Sequence, residues 1–139
     1  MKAWEQFEAE IAEIFHGVRQ AGSGNSCLAP KKGDIKSKLY LIECKYTEKP
    51  VYVLTAKTWE KIVGEALCSL KIPLFTAQNK TTRWFVGMEV DFPSFEYERV
   101  IVSPHNIKLG NEGSFLVKDF KTDTGIYNLV CRSEHNVRI

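Results

Sequence analysis

The sequence predicts an α/β domain, a mixed central β-sheet flanked by α-helices, and three observations predict it. Apolar residues recur at helical spacing in two separate stretches, 4–19 and 55–71. The segments between and after them are short aromatic or β-branched runs bounded by Gly, Pro, Asn and Asp. The 139 residues suit one hydrophobic core, since single cores serve chains of about 100 to 200 residues.

The first helix runs from Trp4 to about Arg19, where Trp4, Phe7, Ile11, Ile14, Phe15 and Val18 fall at three- and four-residue steps and Glu5, Glu8, Glu10 and Glu13 take the polar side. Ala21 to Ser26 is small, polar and glycine-rich, which ends a helix and starts a loop. After the turn signal Pro30-Lys31-Lys32-Gly33, residues 34–38 and 39–46 read as two strands of a hairpin, the second the stronger. Thr55 or Thr58 caps a helix to about Lys71, whose stripe of Trp59, Ile62, Val63, Ala66, Leu67 and Leu70 is expected to be core. Residues 72–77 form a buried strand entered through Pro73, with 83–88 as its hairpin partner. Beyond Pro93, residues 100–103, 114–117 and 126–131 are short strands between turn residues. The expected organisation is one domain over 1–139, with a core of about 4–90 and a β-rich C-terminal extension of about 93–139.

The apolar share of 44% and charged share of 26% are ordinary for a globular chain. No run approaches the roughly 20 apolar residues that cross a bilayer, and the N-terminus has no signal-peptide stretch, so an intracellular, cytoplasmic protein without membrane attachment is expected. Cys27, Cys44, Cys68 and Cys131 are scattered without a C-x-x-C pair, so they are expected to be reduced thiols acting as small hydrophobes. His16, His105 and His135 lack partners at ligand spacing. Trp4, Trp59 and Trp84 are expected to fill the core or a dimer interface. A net charge of +2 does not announce a nucleic-acid partner, but Lys31, Lys32, Lys36, Lys38, Lys45 and Lys49 crowd one short stretch.

The chemistry is concentrated in Gly33-Asp34-Ile35 and Ile42-Glu43-Cys44-Lys45. Residues two apart on a strand share a face, so Glu43 and Lys45 project together, and a hairpin brings Asp34 to them. Two neighbouring carboxylates repel unless a hard cation lies between them, and Mg²⁺ is held by one or two carboxylates plus water and phosphate oxygens. A lysine beside such a site can position an attacking water or stabilise charge on phosphorus oxygens, which is what phosphodiester hydrolysis requires. The alternative reading is a surface Glu43–Lys45 pair and a turn aspartate, since a D…ExK spacing alone recurs by chance.

The segments Phe7-Glu8-Ala9-Glu10-Ile11, Val18-Arg19-Gln20-Ala21-Gly22-Ser23, Gly33-Asp34-Ile35, Ile42-Glu43-Cys44-Lys45-Tyr46-Thr47 and Ile72-Pro73-Leu74, in that order, resemble archaeal-type Holliday junction resolvases and their phage relatives, within the PD-(D/E)xK nuclease superfamily. The resemblance covers roughly residues 4 to 90. It implies a restriction-endonuclease-like fold and a metal-dependent, structure-selective DNA endonuclease that hydrolyses phosphodiesters in four-way junctions and leaves 5′-phosphate ends. Glu8, with Glu10 as second choice, joins Asp34 and Glu43 as metal ligands for Mg²⁺, with Mn²⁺ as a substitute, and Lys45 is the catalytic lysine. Arg19 and Ser23 match residues that contact the scissile phosphate, and Ser23 counts with the catalytic set. Lys31, Lys32, Lys36 and Lys80 are expected to meet DNA. Members of the family are homodimers, and the likeness suggests a phage origin. The chain departs from the pattern in three places: Gln78 stands where a basic residue is common, with Lys80 the nearest cation in sequence; the loop 22–33 is long; and the tail after Pro93 has no counterpart. Two other readings remain: a sequence-specific, nicking or repair endonuclease of the same superfamily, and a catalytically idle DNA-binding subunit.

Overall fold

A computed structural model describes residues 2–20, 34–110 and 113–135. Helix α1 (Ala3–Ile14) buries Phe7 and Ile11. It stops short of the predicted end because the chain reverses at His16, with φ 53, and runs into strand β1 (Val18–Arg19). Gly17 makes that turn possible: a Cβ there would stand 2.7 Å from Ile35 Cγ2 and 3.1 Å from the Lys36 carbonyl oxygen. Val18 therefore ends the apolar spacing on a strand and is exposed.

Strands β2 (Ile35–Lys36) and β3 (Tyr40–Tyr46) form the expected hairpin, with Ile35 opposite Ile42 and Lys36 opposite Leu41. Strand β4 (Tyr52–Thr55) leads into α2 (Ala56–Cys68), which Thr55 caps by accepting from the Thr58 N–H at 3.2 Å. Of the predicted core stripe, Trp59, Ile62 and Ala66 are buried, but Leu67 and Leu70 are 71% and 90% exposed. The helix ends at Cys68, and Leu70, at φ 55, turns the chain directly into β5 (Ile72–Gln78), so nothing among the described residues covers them. Strand β6 (Thr82–Met88) pairs with β5 as expected, and a 3₁₀ turn over Glu89–Asp91 follows. The remaining strands are β7 (Arg99–Val102), β8 (Asn106–Leu109), β9 (Ser114–Lys121) and β10 (Ile126–His135).

Among the described residues the main sheet has eight strands in the order β1-β2-β3-β5-β6-β10-β9-β7, and β4 with β8 makes a separate two-stranded sheet. β3 lies parallel to β5, across the α2 crossover, and β7 parallel to β9; the other neighbours are antiparallel. This is the mixed α/β architecture the sequence predicts, with β7, β9 and β10 continuing the same sheet.

Alternation along the strands sorts side chains into two cores. Phe75, Ala77, Trp84, Val86, Val117, Leu129 and Cys131 pack with Trp59 and Ile62 of α2. Ile35, Ile42, Cys44 and Leu74 pack with Phe7 and Ile11 of α1. The helices thus cover opposite faces of the strands between them. Trp59 and Trp84 are core residues, whereas Trp4, expected in a core or interface, is 44% exposed in the chain. Cys44 and Cys131 are buried free thiols, and Cys68, expected to pack as a small hydrophobe, is exposed at the helix end. No helix among the described residues is long and apolar enough to cross a membrane.

Candidate active site

The site is built at the β1–β2–β3 end of the sheet, with α1 on one face and α2 on the other. Continuing the β2–β3 register by one residue sets Asp34 opposite Glu43, and the Asp34 N–H donates to the Ile42 carbonyl at 3.0 Å. The Asp34 carboxylate is then fixed from the other strand: its Oδ2 accepts from the Cys44 N–H at 2.8 Å. Its backbone carbonyl accepts from the Gln20 N–H at 2.8 Å, which draws the end of β1 alongside. A backbone donor from the facing strand holds the carboxylate in one orientation.

Glu43 and Lys45 share a strand face, as their spacing requires, and Lys45 Nζ lies 3.3 Å from Glu43 Oε2. Glu43 is only 6% exposed. Its neighbour in the parallel register is Phe75 and that of Lys45 is Ala77, so both project on the α2 side of the sheet. From α1, Glu8 reaches Arg19 on β1, whose Nη2 and Nε donate to Glu8 Oε1 at 3.1 and 3.3 Å.

Asp34 ties these pairs together electrostatically. Burial raises the pKa of Glu43 above the ordinary carboxylate value and the Asp34 charge adds to it, with Lys45 and Lys61 opposing. Glu8 is raised in the same way, first by burial and then by Asp34, with Arg19 opposing. Burial pulls Lys45 down, but Glu43 and the hydrogen bond to it outweigh that, so the net shift is upward and the ammonium is secured. The Cys44 thiol is pushed well up by burial, then by Asp34, and is no thiolate nucleophile.

Three oxygen-donor carboxylates with excess negative charge around Asp34 are the donor set a hard divalent cation takes. The geometry is not that of a preformed cage: among the described residues no three His, Cys, Asp or Glu groups are gathered as a metal would hold them. Arg19 and Lys45 each occupy one oxygen of the outer carboxylates. The donors fit Mg²⁺ or Mn²⁺ in kind.

Glu10, the second choice for the first-helix carboxylate, is engaged elsewhere. Its Oε1 accepts from Arg83 Nη2 at 3.1 Å. Arg83, 6% exposed, also donates from Nε to Gln78 Oε1 at 2.6 Å and lies over the Phe7 ring. The cation at Gln78 is therefore Arg83 from the neighbouring strand; Lys80, nearest in sequence, is exposed and faces Glu48 at 4.0 Å. Lys36 is exposed on β2. Ser23, Lys31 and Lys32 lie outside the described residues.

Two groups beside the site had no signal in the motif. Lys61, on α2, acts on Glu43, and Tyr52, on β4, feels the charges of both Lys45 and Glu43. Both come from elements laid over the α2 side of the sheet, which only the helix periodicity around Lys61 foreshadows. An apolar cavity of about 270 Å³ between the end of α1 and β6–β10, lined by Ile14, Phe15, Phe85, Phe92 and Phe95, contains none of the site residues.

No protein-family model matches the chain. No curated protein sequence matches it either. Among solved structures it is similar to Hjc, a Holliday junction resolvase from the archaeal hyperthermophile Archaeoglobus fulgidus, at 22% identity and a TM-score of 0.43, over 58% of this chain and 72% of that one.

Proposed function

We propose that this chain is a metal-dependent, structure-selective DNA endonuclease that resolves Holliday junctions by hydrolysing phosphodiesters in branched DNA, as one nuclease domain over residues 1–139. The observation that carries the proposal is the convergence on one sheet edge of Asp34, tied to the Cys44 N–H, with the buried Glu43 and its Lys45 partner. A solvated surface ion pair has no reason to bury its carboxylate or to share it with a second one fixed by backbone.

Asp34 and Glu43, with Glu8 from α1, are the residues that would hold Mg²⁺ or Mn²⁺. Such an ion supplies the charge that activates water and neutralises the phosphate oxygens. Lys45 holds a proton at Nζ and presents it to the attacking water or to a phosphate oxygen. Arg19, positioned by Glu8, and Ser23 orient the scissile phosphate. Lys31, Lys32, Lys36 and Lys80 carry the flanking phosphates. Cutting two symmetric strands needs two such centres related by a two-fold axis, so the working species is a homodimer. Its substrate places it inside the cell.

The test is cleavage of a labelled four-way junction beside a linear duplex of matched sequence, with Mg²⁺ and with chelator. Paired nicks in the junction alone, lost with the metal, support the proposal. Equal cutting of the duplex replaces it with a sequence-specific, nicking or repair endonuclease. Tight binding without cleavage of either replaces it with an idle DNA-binding subunit.

A further inference from the structure

Strand β4, paired with β8, is laid on the face of the sheet to which Glu43 and Lys45 point. Tyr52, at its start, is half-buried, and its ring packs on Phe75 at 5.4 Å between centroids with the planes tilted by 37°. Phe75 is itself the β5 neighbour of Glu43, so the ring that fixes Tyr52 stands next to the candidate centre. Glu43 and Lys45, paired in register with Phe75 and Ala77, project onto the face that Tyr52 covers, and burial raises the pKa of the phenol while Lys45 lowers it and Glu43 raises it. The Tyr52 hydroxyl has no hydrogen-bond partner among the described residues. Its ring is packed on the core, and its hydroxyl belongs to the face of the sheet that Glu43 and Lys45 share.

We propose that Tyr52 is a further catalytic residue of this centre, its hydroxyl donating a hydrogen bond to a non-bridging oxygen of the scissile phosphate beside Lys45. The inference rests on the endonuclease reading above. In the reaction the water oxygen bonds to phosphorus and the bond from phosphorus to the 3′-oxygen breaks. Water gives up a proton and the departing oxygen gains one, leaving a 5′-phosphate and a 3′-hydroxyl. Tyr52 transfers no proton. It supplies a neutral donor, since phenols titrate near 10, aimed at an oxygen that gains charge as the bond to water forms, and it does so without adding a cation to repel Lys45 or displace a metal.

The test is Tyr52→Phe in the full chain, which keeps the ring on Phe75 and removes only the hydroxyl. The single-turnover cleavage rate should fall about 10²-fold, the loss typical of one donor to a developing oxyanion. The dissociation constant for DNA and the thermal midpoint should stay at the wild-type values. A phosphorothioate that replaces the contacted oxygen should slow the wild type and leave Tyr52→Phe little affected further. A variant that cuts within about twofold of wild type, or whose lost rate follows lost folded protein, overturns the assignment. Wild type that cuts no DNA with Mg²⁺ or Mn²⁺ overturns the endonuclease reading and this inference with it. Normal wild-type cutting beside normal Tyr52→Phe cutting overturns this inference alone.

Discussion

The backbone N–H of Cys44, the residue between Glu43 and Lys45, donates to the Asp34 carboxylate at 2.8 Å. One strand's carboxylate is thereby locked to the backbone that carries the other two groups. Asp34→Asn keeps an acceptor for that N–H and removes the charge. It should leave the thermal midpoint close to wild type and reduce cleavage by at least about 10²-fold, as loss of a metal-ligand or charge-stabilising group does. Asp34→Ala also orphans the Cys44 N–H and should cost about 1 to 3 kcal/mol in denaturant unfolding. Equal stability of the two variants would show that the hydrogen bond does not organise the site.

Arg83 joins α1 to the β5–β6 hairpin through Glu10 and Gln78, and Gln78 is fully buried. Arg83→Met should destabilise the fold by about 2 to 4 kcal/mol, because it leaves the Gln78 amide oxygen without a donor and Glu10 without its cation. Glu10→Gln, whose carboxylate is the more exposed member, should cost about 1 kcal/mol and leave metal-dependent cleavage intact. Loss of activity in Glu10→Gln with stability kept would move the metal-site role from Glu8 to Glu10.

The two glycines nearest the helices should respond in opposite directions. Gly17→Ala forces a Cβ against Ile35 and the Lys36 carbonyl. It should destabilise by about 1 to 3 kcal/mol and weaken cleavage, since β1 carries Arg19. Gly64, inside α2, has nothing within 4 Å of a new Cβ. Gly64→Ala should therefore stabilise by about 1 kcal/mol. Urea unfolding of both variants checks the pair.

The lysines are assigned to backbone phosphates. Replacing Lys31, Lys32 and Lys36 together by Ala should flatten the dependence of log affinity on log salt by about 0.9 for each duplex phosphate that the protein no longer neutralises. An unchanged slope would return them to the solvated edge of a hairpin.

Local pattern carried much of the fold. The strand neighbours β2–β3 and β5–β6 and the Thr55 cap follow from alternation and capping chemistry at the predicted positions. The end of α1 did not follow, because Val18 continues the helical spacing while the close approach of Gly17 to β2 turns the chain first. Leu67 and Leu70 continue the α2 stripe in sequence, but the left-handed turn at Leu70 ends the surface they would cover. Strands β4 and β8 pair Tyr52–Thr55 with Asn106–Leu109 across more than fifty residues of chain, a pairing that no short-range period encodes. The same distance hid Tyr52 from the site. The juxtaposition of Asp34, Glu43 and Lys45 was legible because it is set within one hairpin, whereas the pairing of Glu10 with Arg83, more than seventy residues away, has no local signal.

Everything proposed for this chain turns on whether the buried Glu43, with Asp34 and Lys45, forms a phosphodiester cleavage centre. Wild type and Glu43→Gln should be compared on one labelled four-way junction in Mg²⁺, reading cleavage and binding together. Paired symmetric nicks are expected from the wild type, and binding of equal affinity with no nicks from Glu43→Gln. Cleavage by Glu43→Gln at the wild-type rate would contradict the assignment.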